Sequence, residues 1–359
     1  MEFVNVDEAE RVARERLTPA AYDYYAGGAE DEVTLSANVE AWRRWRVRYR
    51  VLVDVRGRDL STTALGRRIA MPVGVAPTAF QRLAHADAEV ATARAAAREG
   101  VPFVLSSLST TRLEEVAKAL DAAPENTDAQ RWFQLYLYKD RKTGEALVAR
   151  AERAGFGAIV LTADTPVLGR RERDLKAGHV IDARPANFDA DVKPAGSGAA
   201  MLKEIFGGLD DGLTWRDVDW LRTITSLPIL VKGVVHPDDA RLALDHGAAG
   251  VVVSNHGGRQ LDGAVATADA LPEVAAALGG RGELWVDGGV RRGTDVLRAL
   301  ALGARGVLVG RPLLWGLAAG GEDGARAVLR CFRRELDTAF ALAGVRTCAE
   351  AANVELVRE

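Results

Sequence analysis

At 359 residues, 48% hydrophobic and 27% charged, the chain can bury one large core or two modest ones. Its 47 basic and 50 acidic residues leave a formal charge of −3, mixed along the length, with no basic block interleaved with aromatics. That excludes the usual signature of nucleic-acid binding and favours a small-molecule partner. The two cysteines, Cys331 and Cys348, are too few for a disulfide scaffold and read as reduced core residues. The start, Met1-Glu2-Phe3-Val4-Asn5-Val6, lacks a signal peptide's basic and apolar regions, and no apolar run approaches the ~18 residues of a membrane span. A cytoplasmic protein that does not enter a membrane is expected.

Taken in chain order, helical periodicity first predicts helices over Val6 to Arg16 and Ala20 to Ala26. The connection from Trp42 to Asp59 is expected to form a small hairpin at the bottom of the fold. Eight short apolar, β-branched runs follow: Val73 to Ala76, Pro102 to Leu105, Trp132 to Leu135, Ala158 to Thr162, Ile229 to Lys232, Gly250 to Ser254, Leu284 to Asp287 and Gly306 to Val309. Each precedes an Ala/Leu/Arg-rich helical segment, the signal of repeated βα units around a parallel sheet. Eight units in roughly 250 residues predict an α/β fold, a (β/α)8 TIM barrel, with its core at about 73–320. Between the fourth and fifth strands lie about 70 residues, with Asp182 to Gly212 rich in Gly, Ala, Asp and Pro. This reads as a lid-like insertion at about 175–215. Asp323 to Gly344 is predicted as a long amphipathic helix, and one domain, 1–359, accommodates everything.

In such a barrel the chemistry gathers at the C-terminal ends of the strands. Just there stand Pro77-Thr78-Ala79, Ser106-Ser107, Gln134 with Tyr136, Thr162 with Asp164, Lys232, Ser254-Asn255-His256, Asp287-Gly288-Gly289 and Gly310-Arg311. One or two such groups would be ordinary helix caps; a polar group after every strand argues for a ligand. The last two loops, Asp287-Gly288-Gly289-Val290-Arg291-Arg292-Gly293 and Gly310-Arg311-Pro312, offer backbone N–H groups and arginines to an anion. They imply a phosphorylated cofactor, although glycines there are also common turn residues. Neither a G-x-G-x-x-G turn opening a helix nor a Walker lysine is present, which disfavours a Rossmann nicotinamide or ATP site.

The run Ser254-Asn255-His256-Gly257-Gly258-Arg259-Gln260-Leu261-Asp262 places a sterically open histidine at a strand end, suited to proton abstraction. Three residues on, Arg259 can grip a carboxylate with two parallel hydrogen bonds. A lone histidine is more often structural, and placement on the catalytic face reverses that preference. His85, His179, His236 and His246 have no such setting and read as surface or helix-end residues.

With these residues the chain resembles the FMN-dependent 2-hydroxy acid oxidases and dehydrogenases, a family that includes glycolate oxidase, lactate oxidase, mandelate dehydrogenase and flavocytochrome b2. The resemblance is carried by Tyr22 to Asp31, Pro77-Thr78-Ala79, Phe133-Gln134-Leu135-Tyr136, Leu161-Thr162-Ala163-Asp164-Thr165-Pro166, Leu168-Gly169-Arg170-Arg171, Leu230-Val231-Lys232-Gly233, Ser254 to Asp262 and Asp287 to Gly293. It implies FMN as cofactor, oxidation of a small (S)-2-hydroxy acid, and O2 or another electron acceptor. His256 would take a proton from the substrate's carbon or hydroxyl, and Asp164 would support the resulting imidazolium. Arg259 and Tyr24, with Arg171 as second cation, would hold the carboxylate, and Tyr136 would bond the substrate oxygens. Lys232 would offset the negative charge that flavin gains on reduction. Pro77, Thr78, Ala79, Ser106, Gln134, Thr162 and Ser254 would line the isoalloxazine and ribityl chain. Asp287, Gly288, Gly289, Arg291, Gly310 and Arg311 would hold the ribityl and phosphate end. The resemblance also implies a homotetramer or higher oligomer, and no resident metal.

Leu108 stands where glycolate oxidases carry a tryptophan beside the substrate, and Phe80 and Ala163 also depart from the plant enzymes, so these three are expected to shape the tail pocket. No haem domain precedes the barrel, no apolar insert fills the excursion, and the chain ends Val357-Arg358-Glu359 without a peroxisomal signal. These features argue against the cytochrome-fused, membrane-bound and peroxisomal relatives; the leading expectation is a soluble oxidase reducing O2 to hydrogen peroxide, with no residue deciding the acceptor. The alternatives are a dehydrogenase passing electrons to a quinone or protein, an FMN-dependent isomerase, disfavoured by the His256/Arg259 pair, and a non-enzymatic scaffold.

Overall fold

A computed structural model describes residues 1–122, 130–176, 183–188 and 204–359. The eight predicted runs form a closed barrel of parallel strands: Val73–Val75, Phe103–Ser106, Arg131–Leu135, Ile159–Thr162, Ile229–Val234, Gly250–Val253, Glu283–Val286 and Gly306–Val309. Closure occurs where the eighth strand pairs with the first, Val309 opposite Val75. A register shift between Lys232 and Val234 marks a bulge in the fifth strand at Gly233, whose φ is +111°. Because the strands are buried on both faces, they read as continuous apolar runs. Inside, Trp132 and Trp285 meet edge to face at 5.4 Å among Val104, Val160, Leu230, Val252 and Leu308.

The floor of the barrel differs from the expectation. No hairpin forms over Trp42 to Asp59; Trp45–Arg48 pairs instead with Glu355–Arg358, antiparallel. The hairpin lies later, Thr62–Ala64 with Arg67–Ile69, turning at Leu65 and Gly66, both at positive φ. It plugs the barrel: Gln130 donates to the carbonyls of Ala64 and Arg67, and Leu65 N–H donates to Glu283.

The helices Val6–Arg16 and Pro19–Ala26 stand as predicted, capped by the Asn5 and Thr18 side chains. A third, Val33–Arg44, was not anticipated. The long helix expected over Asp323 to Gly344 follows a kink at Gly320 and Gly321, where the backbone is non-helical, and ends at Ala343; the helical stretch from Arg311 up to that kink was not anticipated. Among the described residues no helix is long and apolar enough to cross a membrane. Both cysteines are buried and free. Of the insertion expected at about 175–215, residues 177–182 and 189–203, and with them His179, lie outside the described residues. The flanking pieces are well anchored. Asn187 donates to Ser107 O and Ser109 Oγ and accepts from Leu113 N–H, and Leu209 bridges Tyr138.

Candidate active site

The C-terminal ends of the strands surround a cavity, the place where a barrel of this kind holds its ligand. From the expected set it is lined by Tyr24, Pro77, Thr78, Ala79, Ser106, Leu108, Gln134, Tyr136, Thr162, Arg171, Lys232, His256, Arg259, Asp287, Gly288, Gly289, Arg291, Gly310 and Arg311. Two expected residues sit behind this wall. Asp164 backs His256, and Ser254 accepts from Lys232 Nζ at 3.0 Å and from His256 N–H at 3.1 Å.

His256 has φ +58°, a left-handed backbone that histidine tolerates better than most residues. Gly257 and Gly258 continue in that conformation, and a Cβ on Gly258 would strike the backbone of Leu35 at 2.6 Å. His256 Nδ1 lies 2.8 Å from Asp164 Oδ1, which also accepts from Thr165 Oγ1 at 3.1 Å. An ionised carboxylate only accepts, so Nδ1 carries the proton and Nε2 keeps its lone pair. Burial lowers the His256 pKa, Asp164 opposes that shift and Lys232 adds to it. Burial works against ionisation of Asp164 too, yet His256 and Lys232 hold it at about 2. The imidazole is thus a neutral base whose protonated form is met by a fixed negative charge.

Lys232 contacts Asp287 Oδ2 at 3.4 Å; burial works against its charge, but Asp287 and Asp164 outweigh it and raise the pKa. Burial lifts Tyr136 to about 12, keeping it a hydroxyl donor. Arg259 Nη1 donates to the carbonyls of Tyr24 and Gly27, with its guanidinium 5.0 Å from the centre of the Tyr24 ring. Arg171, driven down to about 10 by burial and by Arg259, donates to Arg259 O. Arg311 donates to the carbonyls of Tyr25, Gly257 and Gly27, and Arg291 to that of Val290. Among the described residues no carboxylate lies within ion-pair distance of Arg171, Arg259, Arg291 or Arg311. Four guanidinium groups on one cavity, Arg171 buried and the other three half-buried, make it a site suited to anionic ligands.

The same logic tests a phosphorylated flavin. Asp287 Oδ1 is buried without a partner, and Arg291 and Arg311 stand at the loops where barrels hold phosphate. A hydroxylated chain ending in phosphate satisfies both, so the residues fit FMN. The glycines have a second reason to be there: a Cβ on Gly289 would lie 2.0 Å from Asn38 O, so the helix Val33–Arg44 forbids it.

Two expected tail-pocket residues are misplaced. Phe80 is fully buried off the cavity wall, edge-on to the Tyr24 ring at 5.9 Å. Ala163 lies off the wall, its N–H donating to Lys232 O. Conversely, Phe206, from the helical turn at 204–207, lines the cavity and meets Tyr136 at 6.5 Å. Its signal was an apolar pair, Ile205-Phe206, in a polar excursion. His236 and His246 cap the two ends of the helix Pro237–Asp245, and His85 accepts from Asp87 N–H.

A family model described as FMN-dependent dehydrogenase matches residues 13–358. Glycolate oxidase 1 of Zea mays is 51% identical, covering 100% of this chain and 96% of that protein. L-lactate oxidase of Nostoc sp. is 46% identical, covering 95% and 94%. The crystal structure of mandelate oxidase with (S)-4-hydroxymandelic acid aligns over 99% of both chains, with TM-score 0.93 and 42% identity.

Proposed function

The chain belongs to the FMN-dependent dehydrogenase family, and on that footing we propose that it oxidises a small (S)-2-hydroxy acid to the 2-oxo acid, with O2 as acceptor and hydrogen peroxide as second product. The observation that carries this reading is the His256–Asp164 pair at a cavity whose four arginines have no carboxylate within ion-pair distance among the described residues. Arg259 and Arg171 take the substrate carboxylate, and Tyr24, packed beneath Arg259, completes that grip. His256 Nε2 accepts the substrate's proton, and Asp164 stabilises the imidazolium without moving. Tyr136 donates to the substrate's oxygens. FMN, held through Asp287, Arg291, Arg311 and the walls at Thr78, Ala79, Ser106, Gln134 and Thr162, supplies the two-electron acceptor. Lys232, tied by Ser254 and Asp287, contributes the positive charge that balances the electrons received. Leu108 and Phe206 bound the tail of the acid.

We further propose that the enzyme is cytoplasmic and a homotetramer or higher oligomer. Exposed Tyr49, Val51 and Leu52, beside exposed Leu342, support a contact between copies; light scattering on the purified protein checks it, and a monomer would refute it.

The test of the reaction is anaerobic mixing of the yellow holoenzyme with glycolate, (S)-lactate, a long-chain 2-hydroxy acid and (S)-mandelate, followed by air. Flavin bleaching identifies the substrate, and rapid reoxidation with peroxide release identifies an oxidase. A flavoprotein that none of these acids bleaches would sink the proposal, and slow reoxidation would reassign it as a dehydrogenase.

A further inference from the structure

Glu89 is fully buried in the first turn of the helix Ala88–Glu99, and among the described residues no cation lies within ion-pair distance of it. Burying a carboxylate without a counter-charge is costly unless hydrogen bonds replace its water. Here every lone pair is engaged by donors from two loops. Oε1 accepts from Gln81 N–H at 3.2 Å, Thr110 N–H at 2.8 Å and Thr110 Oγ1 at 3.0 Å. Oε2 accepts from the hydroxyls of Thr110 and Thr111, each at 2.8 Å. The same loops are joined directly, Phe80 N–H to Leu108 O at 3.3 Å and Arg82 N–H to Thr110 Oγ1 at 3.2 Å.

What the loops carry gives the strap its consequence. Gln81, fixed at its N–H by Glu89, donates from Nε2 to Thr78 Oγ1 at 2.9 Å, and Thr78 lines the cavity. Two residues before Thr110 stands Leu108, on the cavity wall. We propose that Glu89 is a positioning residue that fixes the Leu108 tail wall relative to the flavin-side loop carrying Thr78, and so sets which substrate tail fits. This rests on reading Leu108 as the boundary of the tail. His256, Asp164 and Lys232 hang on other strands, so the strap governs fit rather than proton transfer. On its other side the Leu108 loop is held by Asn187, so loosening Glu89 shifts the loop without releasing it.

The experiment compares kcat/KM for glycolate and (S)-mandelate in the FMN-loaded enzyme and in Glu89→Leu, Glu89→Gln and Thr110→Val/Thr111→Val. Glu89→Leu removes every acceptor, and the double valine variant removes both hydroxyl donors, loosening the strap from the other end while the two backbone N–H bonds stay, should Glu89→Leu fail to fold. Both should change the ratio of the two kcat/KM values by about tenfold, the discrimination of roughly one methylene of misfit, through KM, with the limiting rate of flavin reduction unchanged. Glu89→Gln keeps one oxygen for the two backbone N–H groups while the threonine hydroxyls turn to accept from its amide, and it should restore the wild-type ratio. An unmoved ratio in the strap variants overturns the proposal, as does a loss that Glu89→Gln does not rescue. Leu108→Ala in parallel shows whether the tail-wall reading falls with it.

Discussion

Replacing Asp164 with Asn keeps the shape of the site and removes the one negative charge that meets the imidazolium. In the resting enzyme His256 is neutral, so the loss is felt only when Nε2 has taken the substrate's proton. With Nδ1 and Oδ1 2.8 Å apart and both groups buried, the charge centres lie about 4 Å from one another, where two unit charges at an effective dielectric constant near 20 attract by ~4 kcal/mol. Part of that survives as a neutral hydrogen bond, leaving about 3 kcal/mol, roughly two orders of magnitude in rate. The assay is anaerobic stopped-flow reduction of the bound flavin across pH. Its rate should fall by about 100-fold at saturating substrate with flavin content unchanged. Asp164 raises the His256 pKa against burial and Lys232, so its removal lets that pKa fall further. The acid limb of kcat/KM, where His256 becomes protonated and inactive, must therefore move to lower pH even as the plateau drops. A plateau close to wild type, or a limb moving to higher pH, would refute the reasoning.

His256→Ala should retain FMN yet lose flavin reduction by several orders of magnitude; rapid bleaching by substrate would show that the base is another group. Arg259→Lys replaces a planar fork by a point charge, with an expected rise in KM and fall in kcat/KM of at least about tenfold. Unchanged kinetics would place the carboxylate elsewhere. Phe206→Ala removes an aromatic wall beside Tyr136 and should weaken kcat/KM for mandelate more than for glycolate, measured side by side; an equal loss for both acids would separate Phe206 from the tail.

The parts legible before the fold was known were those set by local rules. Strands buried on both faces show as short β-branched runs, and the residues just after them face one end of any such barrel. That is why His256, Arg259, Lys232 and the glycine-arginine loops could be named. What escaped depends on residues distant in sequence. The helix Val33–Arg44 lacks a local cap because its first N–H groups are met by Asp262, more than 200 residues away. The strand Trp45–Arg48 exists because the last residues of the chain pair with it, and the hairpin at Leu65-Gly66 was passed over for an earlier segment. Phe80, expected at the tail pocket, is not on its wall, and Phe206, for which nothing was expected, is, since a position in sequence does not say which side chain turns inward.

Periodicity and residue types at strand ends were thus sufficient for the fold, a phosphorylated cofactor and the candidate base, while the flavin itself was implied by the family resemblance. Only tertiary structure decided the 2.8 Å contact between His256 and Asp164, the gathering of four arginines without a carboxylate partner among the described residues, the place of Phe206 on the cavity wall and the bonding of Glu89 to the Thr110 loop. Charge compensation and cavity shape are properties of neighbours in space, and here those neighbours come from different loops.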